Sequence, residues 1–423
     1  MLKNILQKIL RILAVAILHK YSPDVIGVTG SVGKTSTKEA VYSVLKDHVN
    51  VRRSIKNYNN EIGLPLTIIG SLSGDRSIGK WILVIAKALW LIIWRDRNYP
   101  KVLILEMGID RPGDMKYIVA MAPCKVGVIT AIGTAHIEFF KTKEKVAKEK
   151  SQVVSHLGKG GWAVINADDP LVLAQREATK ARVVTFGIDN PDADIVAREI
   201  KISQSANDIN GLSFKLSYQG STVPVLLPSV LGDHLVYAAL AGAALGLIYG
   251  MNLVEIAQAL REFVPWPGRM RVIAGIKETT IIDDTYNSSP DATIAAINTL
   301  GALAQSGTRY AILGDMLELG DYTEEGHQRV GQAIIDNSVD VLVTVGERAK
   351  IIANEAERLG MSTDNIFVFA DTARAGRFIQ DRLVKGDVIL VKGSQGMRME
   401  KVVKELMADP LRASELLVRQ DWK

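Results

Sequence analysis

The chain has 423 residues, 48% of them hydrophobic and 23% charged, so it is too apolar to be disordered and long enough for two or three packed domains. A single cysteine, Cys124, excludes an internal disulfide framework and a cysteine-rich zinc site and suits a reducing cytoplasm. The net charge of +5 is mildly basic, but no Lys/Arg block interleaved with aromatics marks a nucleic-acid groove, so no nucleic acid is expected as a partner. Anionic nucleotides or an anionic membrane surface account for the basic balance.

Residues 1–22 read as a basic amphipathic helix, with Lys3, Lys8 and Arg11 spaced among apolar residues. The segment lacks a small-residue cleavage site and runs straight into a strand at Val25–Thr29, which argues against a signal peptide. From that strand the chain enters Gly27-Val-Thr-Gly30-Ser31-Val-Gly33-Lys34-Thr35-Ser36, and Thr37 to Leu45 continue as an amphipathic helix. A glycine turn opening a helix exposes backbone N–H groups where the helix dipole favours a polyphosphate; a lysine reaches the outer phosphates and a hydroxyl holds Mg²⁺. ATP with Mg²⁺ is the expected ligand. The spacing departs from the general phosphate-loop pattern, because the position five before Gly33 is Val28. Residues 78–97 form an apolar insertion, Trp81 to Trp94, interrupted by Lys87 and flanked by Lys80, Arg95 and Arg97. It is shorter than the roughly 20 apolar residues that span a bilayer. Either it lies in a membrane interface or it packs on the first helix.

Further strands read at Val102–Glu106, Val126–Thr130, Ala163–Asn166 and Val183–Phe186, with helical stretches between them. Glu106 falls at the carboxyl end of its strand, the edge where open α/β sheets bind ligands, and a carboxylate there can hold the Mg²⁺ that bridges phosphates. His136 follows the next strand tip in the same way. Asp192 to Leu227 breaks the rhythm with short alternating segments that read as an antiparallel addition. Helices at Leu235–Tyr249 and Val254–Phe263 follow, then a linker at Pro265-Trp-Pro-Gly268. A second alternating unit has strands at Thr280–Asp283, Tyr310–Gly314, Val341–Val345, Ile366–Phe369 and Val388–Lys392.

These residues resemble the Mur ligases, the ATP-dependent amide ligases of peptidoglycan precursor synthesis, from about Val25 onward. The loop spacing follows that family's variant. Asn57-Tyr-Asn-Asn-Glu-Ile-Gly-Leu-Pro-Leu66, Leu105-Glu-Met-Gly108, Gly133-Thr-Ala-His136, Asp283-Asp-Thr-Tyr-Asn-Ser-Ser-Pro-Asp291, Leu313-Gly-Asp-Met-Leu-Glu-Leu-Gly320 and Val391-Lys-Gly-Ser394 are similar to the D-alanyl-D-alanine-adding branch. The fold implied is α/β: a phosphate-loop, mostly parallel sheet in a central domain, 23–266, followed by a Rossmann-like α/β domain, 267–423.

The resemblance implies roles. Gly30, Ser31, Gly33, Lys34, Thr35 and Ser36 form the ATP cradle, with Lys34 on the β- and γ-phosphates. Thr35 and Glu106 hold one Mg²⁺. His136 and a carbamylated Lys150 support a second, with Lys145 and Lys148 on the same stretch as alternatives. Arg269 comes from the second domain towards the phosphates, and Asp284 and Asn287 contact ribose and adenine. The substrates implied are a muramyl-peptide precursor and D-Ala-D-Ala, joined by a cytoplasmic monomer with peripheral contact at the inner membrane face. Two departures stand out. Only residues 1–22 precede the nucleotide strand where the family carries a UDP-binding domain, and Leu235 and Ala238 replace asparagines in Gly232-Asp-His-Leu-Val-Tyr-Ala238. Two alternatives stay open: a ligase acting on another carboxylate, lipid-linked or without a nucleotide, and a membrane-apposed nucleotide switch or inactive scaffold. Retention of Lys34, Thr35, Glu106, His136, Lys150 and Arg269 together argues against the last, since a dead site has no chemical need for all six.

Overall fold

Unbroken Val/Ile/Leu runs belong in strands covered on both faces, and such runs form the centre of the first sheet in the computed structural model. It describes residues 2–54, 58–133, 137–205, 208–228, 230–303 and 307–418. The opening elements are α1 (Leu2–Tyr21), β1 (Asp24–Thr29), α2 (Lys34–Leu45), β2 (Val51–Arg53), α3 (Gly63–Ile69), α4 (Ile78–Ile93), β3 (Val102–Glu106), α5 (Asp114–Met121) and β4 (Val126–Ile129). Strands β5 (Trp162–Asn166), β6 (Arg182–Gly187), β7 (Ile195–Ser205), β8 (Asp208–Tyr218) and β9 (Ser221–Pro228) extend the sheet, whose order is β2-β3-β1-β4-β5-β6-β7-β8-β9. Neighbours from β2 through β7 run parallel. The expected antiparallel addition is the β7–β9 meander. Its last hairpin turns at Gln219 and Gly220, both at positive φ, the backbone of a tight two-residue hairpin turn.

The register at the sheet centre positions the chemistry. Val28 of β1 lies opposite Glu106 of β3 on one side and Val128 of β4 on the other. The loops leaving β1, β3 and β4 therefore emerge at one edge. Two glycines are required there. Gly30, at φ 150°, has no room for a Cβ, which would sit 1.9 Å from Thr130 Oγ1, and Gly33 adopts φ 82° as the N-cap of α2.

Contacts divide the chain into two units: Met1–Ile200 with Phe214–Leu226 and Leu235–Phe263, and Lys201–Ser213 with Leu227–His234 and Val264–Lys423. In the first, α1 and α4 share a core with the sheet through Leu10, Leu13, Ala14 and Ile17 of α1 and Val84, Ala88 and Leu91 of α4. Lys20 Nζ donates to Leu91 O and Ile92 O, at 3.0 and 2.8 Å. The Tyr21 hydroxyl donates to Leu91 O at 3.0 Å and accepts from Asp96 N at 2.8 Å, and its ring stacks on Tyr99 at 4.1 Å. Packing on the first helix is thus the observed arrangement of the insertion's inner face. In the second unit, β10 (Arg271–Ala274), β11 (Thr280–Asp284), β12 (Arg309–Gly314), β13 (Val341–Val345), β14 (Ile366–Phe369) and β15 (Val388–Lys392) are ordered β10-β11-β15-β12-β13-β14. All pair in parallel except the antiparallel β10–β11. Strands β2 and β10 were not expected: Val-Arg-Arg and Arg-Val-Ile-Ala are too short to show a period.

Because Tyr21 ties α1 to the end of α4, Tyr21→Phe should destabilise the first unit by about 1–2 kcal/mol, chiefly the cost of leaving the Asp96 N–H without its acceptor, since Leu91 O keeps Lys20. Urea unfolding followed by circular dichroism measures this, and an unchanged midpoint would mean the clamp is not formed.

Candidate active site

The N-cap of α2 is a glycine and has no side chain to accept from the first helical turn, so the helix N-terminus faces the loop with its N–H groups available. The loop is braced from β4: Ser31 N donates to Ala131 O at 2.7 Å, and the Thr130 hydroxyl lies 2.5 Å from Val32 O and 3.2 Å from Thr29 O. Thr29 Oγ1 in turn donates to Met107 O at 2.8 Å, joining β1 to the residue after Glu106. Lys34 folds over the loop, with Nζ 2.8 Å from Gly30 O and 3.3 Å from Ser31 O. Thr35 and Ser36 are buried beneath it.

The Thr35 hydroxyl donates to Glu106 Oε2 at 3.1 Å. A hydroxyl and a carboxylate oxygen side by side at a polyphosphate loop are hard donors of the kind Mg²⁺ prefers, and Mg²⁺ keeps water and phosphate oxygens as its remaining ligands. Among the described residues no group of three or more His, Cys, Asp or Glu forms a metal site. Beneath Glu106 lies a network the sequence did not reveal. Lys38, 0% exposed, has its ammonium 3.7 Å from Glu106 Oε2, 3.4 Å from Glu39 Oε1 and 3.3 Å from Ser54 Oγ. Arg53 Nε reaches Glu39 Oε2 at 2.6 Å. A Lys-Glu pair on a helix ordinarily reads as a solvated face. The available signal was helical spacing, since Lys38 stands four residues after Lys34 and Glu39 four after Thr35, on the faces those residues occupy.

Lys150 ends the helix Lys143–Lys150 and is 1% exposed, whereas Lys145 and Lys148 on the same helix are exposed. Burial, and then the charge of Lys34, push its amine well below the ordinary lysine range, against opposing pulls from Glu149 and Asp110. A cleft borders this region, lined by Lys34, Asn59, Asn60, Gly108 and Asp110 among others. Gly108 N donates to Asn59 O at 2.9 Å, linking the Asn-rich segment to the strand that carries Glu106. Asn57 and His136 lie outside the described residues.

The second unit holds the remaining expected residues. Arg269 stacks over Tyr286 at 4.3 Å, and its Nε is buried without a hydrogen-bond acceptor among the described residues. Asp284 is buried and engaged on both oxygens: Lys392 Nζ donates to Oδ2 at 2.6 Å and Met270 N to Oδ1 at 3.2 Å. Lys392 also donates to Asn287 O at 2.9 Å, while Asn287 Oδ1 accepts from Ser288 N. Burial raises the neighbouring Asp283 carboxyl to about 6. Lys392 sits in the quoted Val-Lys-Gly-Ser motif, but its pairing with Asp284 follows only from the register that sets Asp284 opposite Lys392. Leu235 and Ala238, where the family carries asparagines, are buried in the apolar helix His234–Ile248.

The sequence matches the profile of the Mur ligase middle domain at residues 28–74 and 93–246 and that of the Mur ligase, glutamate ligase domain at 268–395. It is 32% identical over 410 residues to the UDP-N-acetylmuramoyl-tripeptide–D-alanyl-D-alanine ligase of Mycobacterium leprae (strain TN), covering 91% of this chain and 74% of that one. The chain belongs to the Mur ligase family. The Bacillus subtilis (strain 168) ligase of the same name is 29% identical over 399 residues, 94% of this chain and 79% of that one. Among solved structures, MurF ligase from Thermotoga maritima in complex with ADP superposes with a TM-score of 0.77 at 28% identity, covering 94% of this chain and 83% of that one. A MurF from Acinetobacter baumannii gives 0.77 at 27%, covering 95% and 80%. The family accounts for both α/β units and for the glycine loop. The middle-domain match passes over residues 75–92, the stretch that contains most of α4.

A lysine whose folded affinity for protons is depressed binds fewer protons than in the unfolded chain, so stability rises as pH climbs towards the ordinary value of 10.5. Lys150→Met removes that dependence. Urea midpoints at pH 7 and pH 9 should therefore show the wild type gaining on the variant as pH rises; a constant difference would contradict the depressed amine.

Proposed function

We propose that this Mur ligase adds D-Ala-D-Ala to a UDP-linked muramyl tripeptide, in the cytoplasm and as a monomer, through an acyl phosphate. The observation that carries the reading is the Thr35–Glu106 pair at the mouth of the glycine loop, the loop that would hold ATP. The substrate assignment comes from the D-alanyl-D-alanine ligases that the chain resembles along most of its length. We take 23–266, with its insertion at 78–97, as the ATP-binding domain, 267–423 as the domain carrying Arg269, Asp284 and Asn287, and 1–22 as an added helix.

A carboxylate resists attack by an amine because its carbonyl carbon is electron-rich and oxide is a poor leaving group. In the reading proposed, an oxygen of the acceptor carboxylate attacks the γ-phosphorus and the bond to the β-phosphate oxygen breaks, giving ADP and an acyl phosphate. The amine of D-Ala-D-Ala then attacks the acyl carbon, loses a proton, and phosphate departs with its bonding electrons. The loop N–H groups and Lys34 would offset the negative charge on the phosphates, the role the resemblance also gives Arg269. Thr35 and Glu106 would hold Mg²⁺, which screens phosphate charge when bound. Lys150 has the properties a carbamate requires. In this reading the buried amine, of low proton affinity, would attack CO₂, forming an N–C bond with loss of a proton, and Lys150 as its carbamate would hold a second Mg²⁺ together with His136. Asp284 and Asn287 keep the nucleoside assignment, with Lys392 holding Asp284 in place.

A coupled phosphate-release assay with D-Ala-D-Ala and a panel of muramyl peptides, with and without UDP, tests the reading. Release should require acceptor and dipeptide together. Lys34→Ala and Glu106→Ala should each lower turnover on the order of 10³-fold, and Lys150→Ala should regain activity when short carboxylic acids are added. Release that ignores the amine, or turnover on a different carboxylate alone, would overturn the substrate assignment.

A further inference from the structure

Apart from Gly79, Lys80 and Lys87, helix α4 is apolar, but only one side of it is used for packing. Val84, Ala88 and Leu91 are buried, while Ile82, Leu83, Leu89, Trp90, Ile93 and Trp94 are exposed, Leu83 at 70% and Ile93 at 64%. Helix α1, which packs beside it, leaves Ile5, Ile9 and Ile12 exposed at helical spacing. Monomeric proteins rarely leave such contiguous apolar surface to water. The family match passes over most of α4, so the ligase fold itself does not call for it.

We propose that this face docks on an anionic phospholipid surface. Charge selects that partner. Neither α1 nor α4 contains an aspartate or glutamate. Lys80 and Lys87 stand seven residues apart, hence on one side of the helix, and both are exposed along a border between the apolar face and the buried one. Arg76 precedes the helix and Arg95 and Arg97 follow it, against Asp75 and Asp96. At the α4 C-terminus a cleft of about 330 Å³ is lined by Arg95, Arg97 and Lys101 together with Tyr21, Asp24 and Asp96, three cations to two carboxylates and of a size for a phosphate headgroup. The exposed Trp90 and Trp94 are the residue type that settles at the boundary of headgroups and acyl chains. With 16 residues, α4 is about 24 Å long and shorter than the ~30 Å hydrocarbon layer. No helix among the described residues is long and apolar enough to cross a membrane. The helix therefore lies in the plane of the interface. A two-fold contact between copies would instead press basic border against basic border.

The proposal does not rest on the ligase reading, because vesicle binding is measured without turnover. The full chain is sedimented with phosphatidylcholine vesicles, alone or with phosphatidylglycerol, at low and high salt. It should bind the anionic vesicles, less so at high salt. Arg95→Gln with Arg97→Gln should lower the partition coefficient about fivefold per charge removed. Trp90→Ser with Trp94→Ser should lower it more than tenfold while far-UV circular dichroism stays that of the wild type. Intact protein left in the supernatant with anionic vesicles at low salt overturns the proposal, and equal binding to neutral vesicles overturns its choice of lipid. Lipid-free dimerisation in sedimentation velocity that the tryptophan variant abolishes would assign the face to a second copy instead.

Discussion

The parallel register of β3, β1 and β4 is the constraint on which the site depends. Val28 faces Glu106 and Val128 across its two ladders, so the glycine loop, the carboxylate and the Thr130 brace arrive at one sheet edge without any long-range adjustment of side chains. A slip of one residue in β3 would turn Glu106 to the other face of the sheet, away from Thr35. The missing Cβ of Gly30 is part of the same constraint, because the loop passes so close to Thr130 that no other residue fits.

Two buried lysines near this edge have opposite electrostatic settings. Lys38 sits between Glu106 and Glu39, whose carboxylates offset the cost of burying its charge and in turn hold Glu106 in one orientation. Burial first, and then the neighbouring cation Lys34, disfavour protonation of Lys150. The same residue type thus lies between two carboxylates in one place and beside a second lysine in the other.

Much of this was legible in the sequence. The strands of both units follow from unbroken apolar runs, the glycine loop from its strand–turn–helix setting and Glu106 from its place at a strand end, whereas Lys150 was named only through the family resemblance. Lys38 and Glu39 were hidden because charge on a helix normally signals solvent. The Asp284–Lys392 pair was hidden because it joins residues 108 positions apart through strand register. The insertion was read correctly as too short to span a membrane, but composition alone could not divide its inner packing face from its outer one. That division depends on which residues α1 and α3 cover, a tertiary property of the fold.

In the proposed reading the glycine loop and Glu106 direct the γ-phosphoryl group of ATP to a carboxylate rather than to water. Placing ¹⁸O in the acceptor carboxylate and analysing the inorganic phosphate released during ligation by mass spectrometry tests it most directly. Transfer through an acyl phosphate moves one labelled oxygen into each phosphate formed. Unlabelled phosphate accompanying amide product would rule out an acyl phosphate.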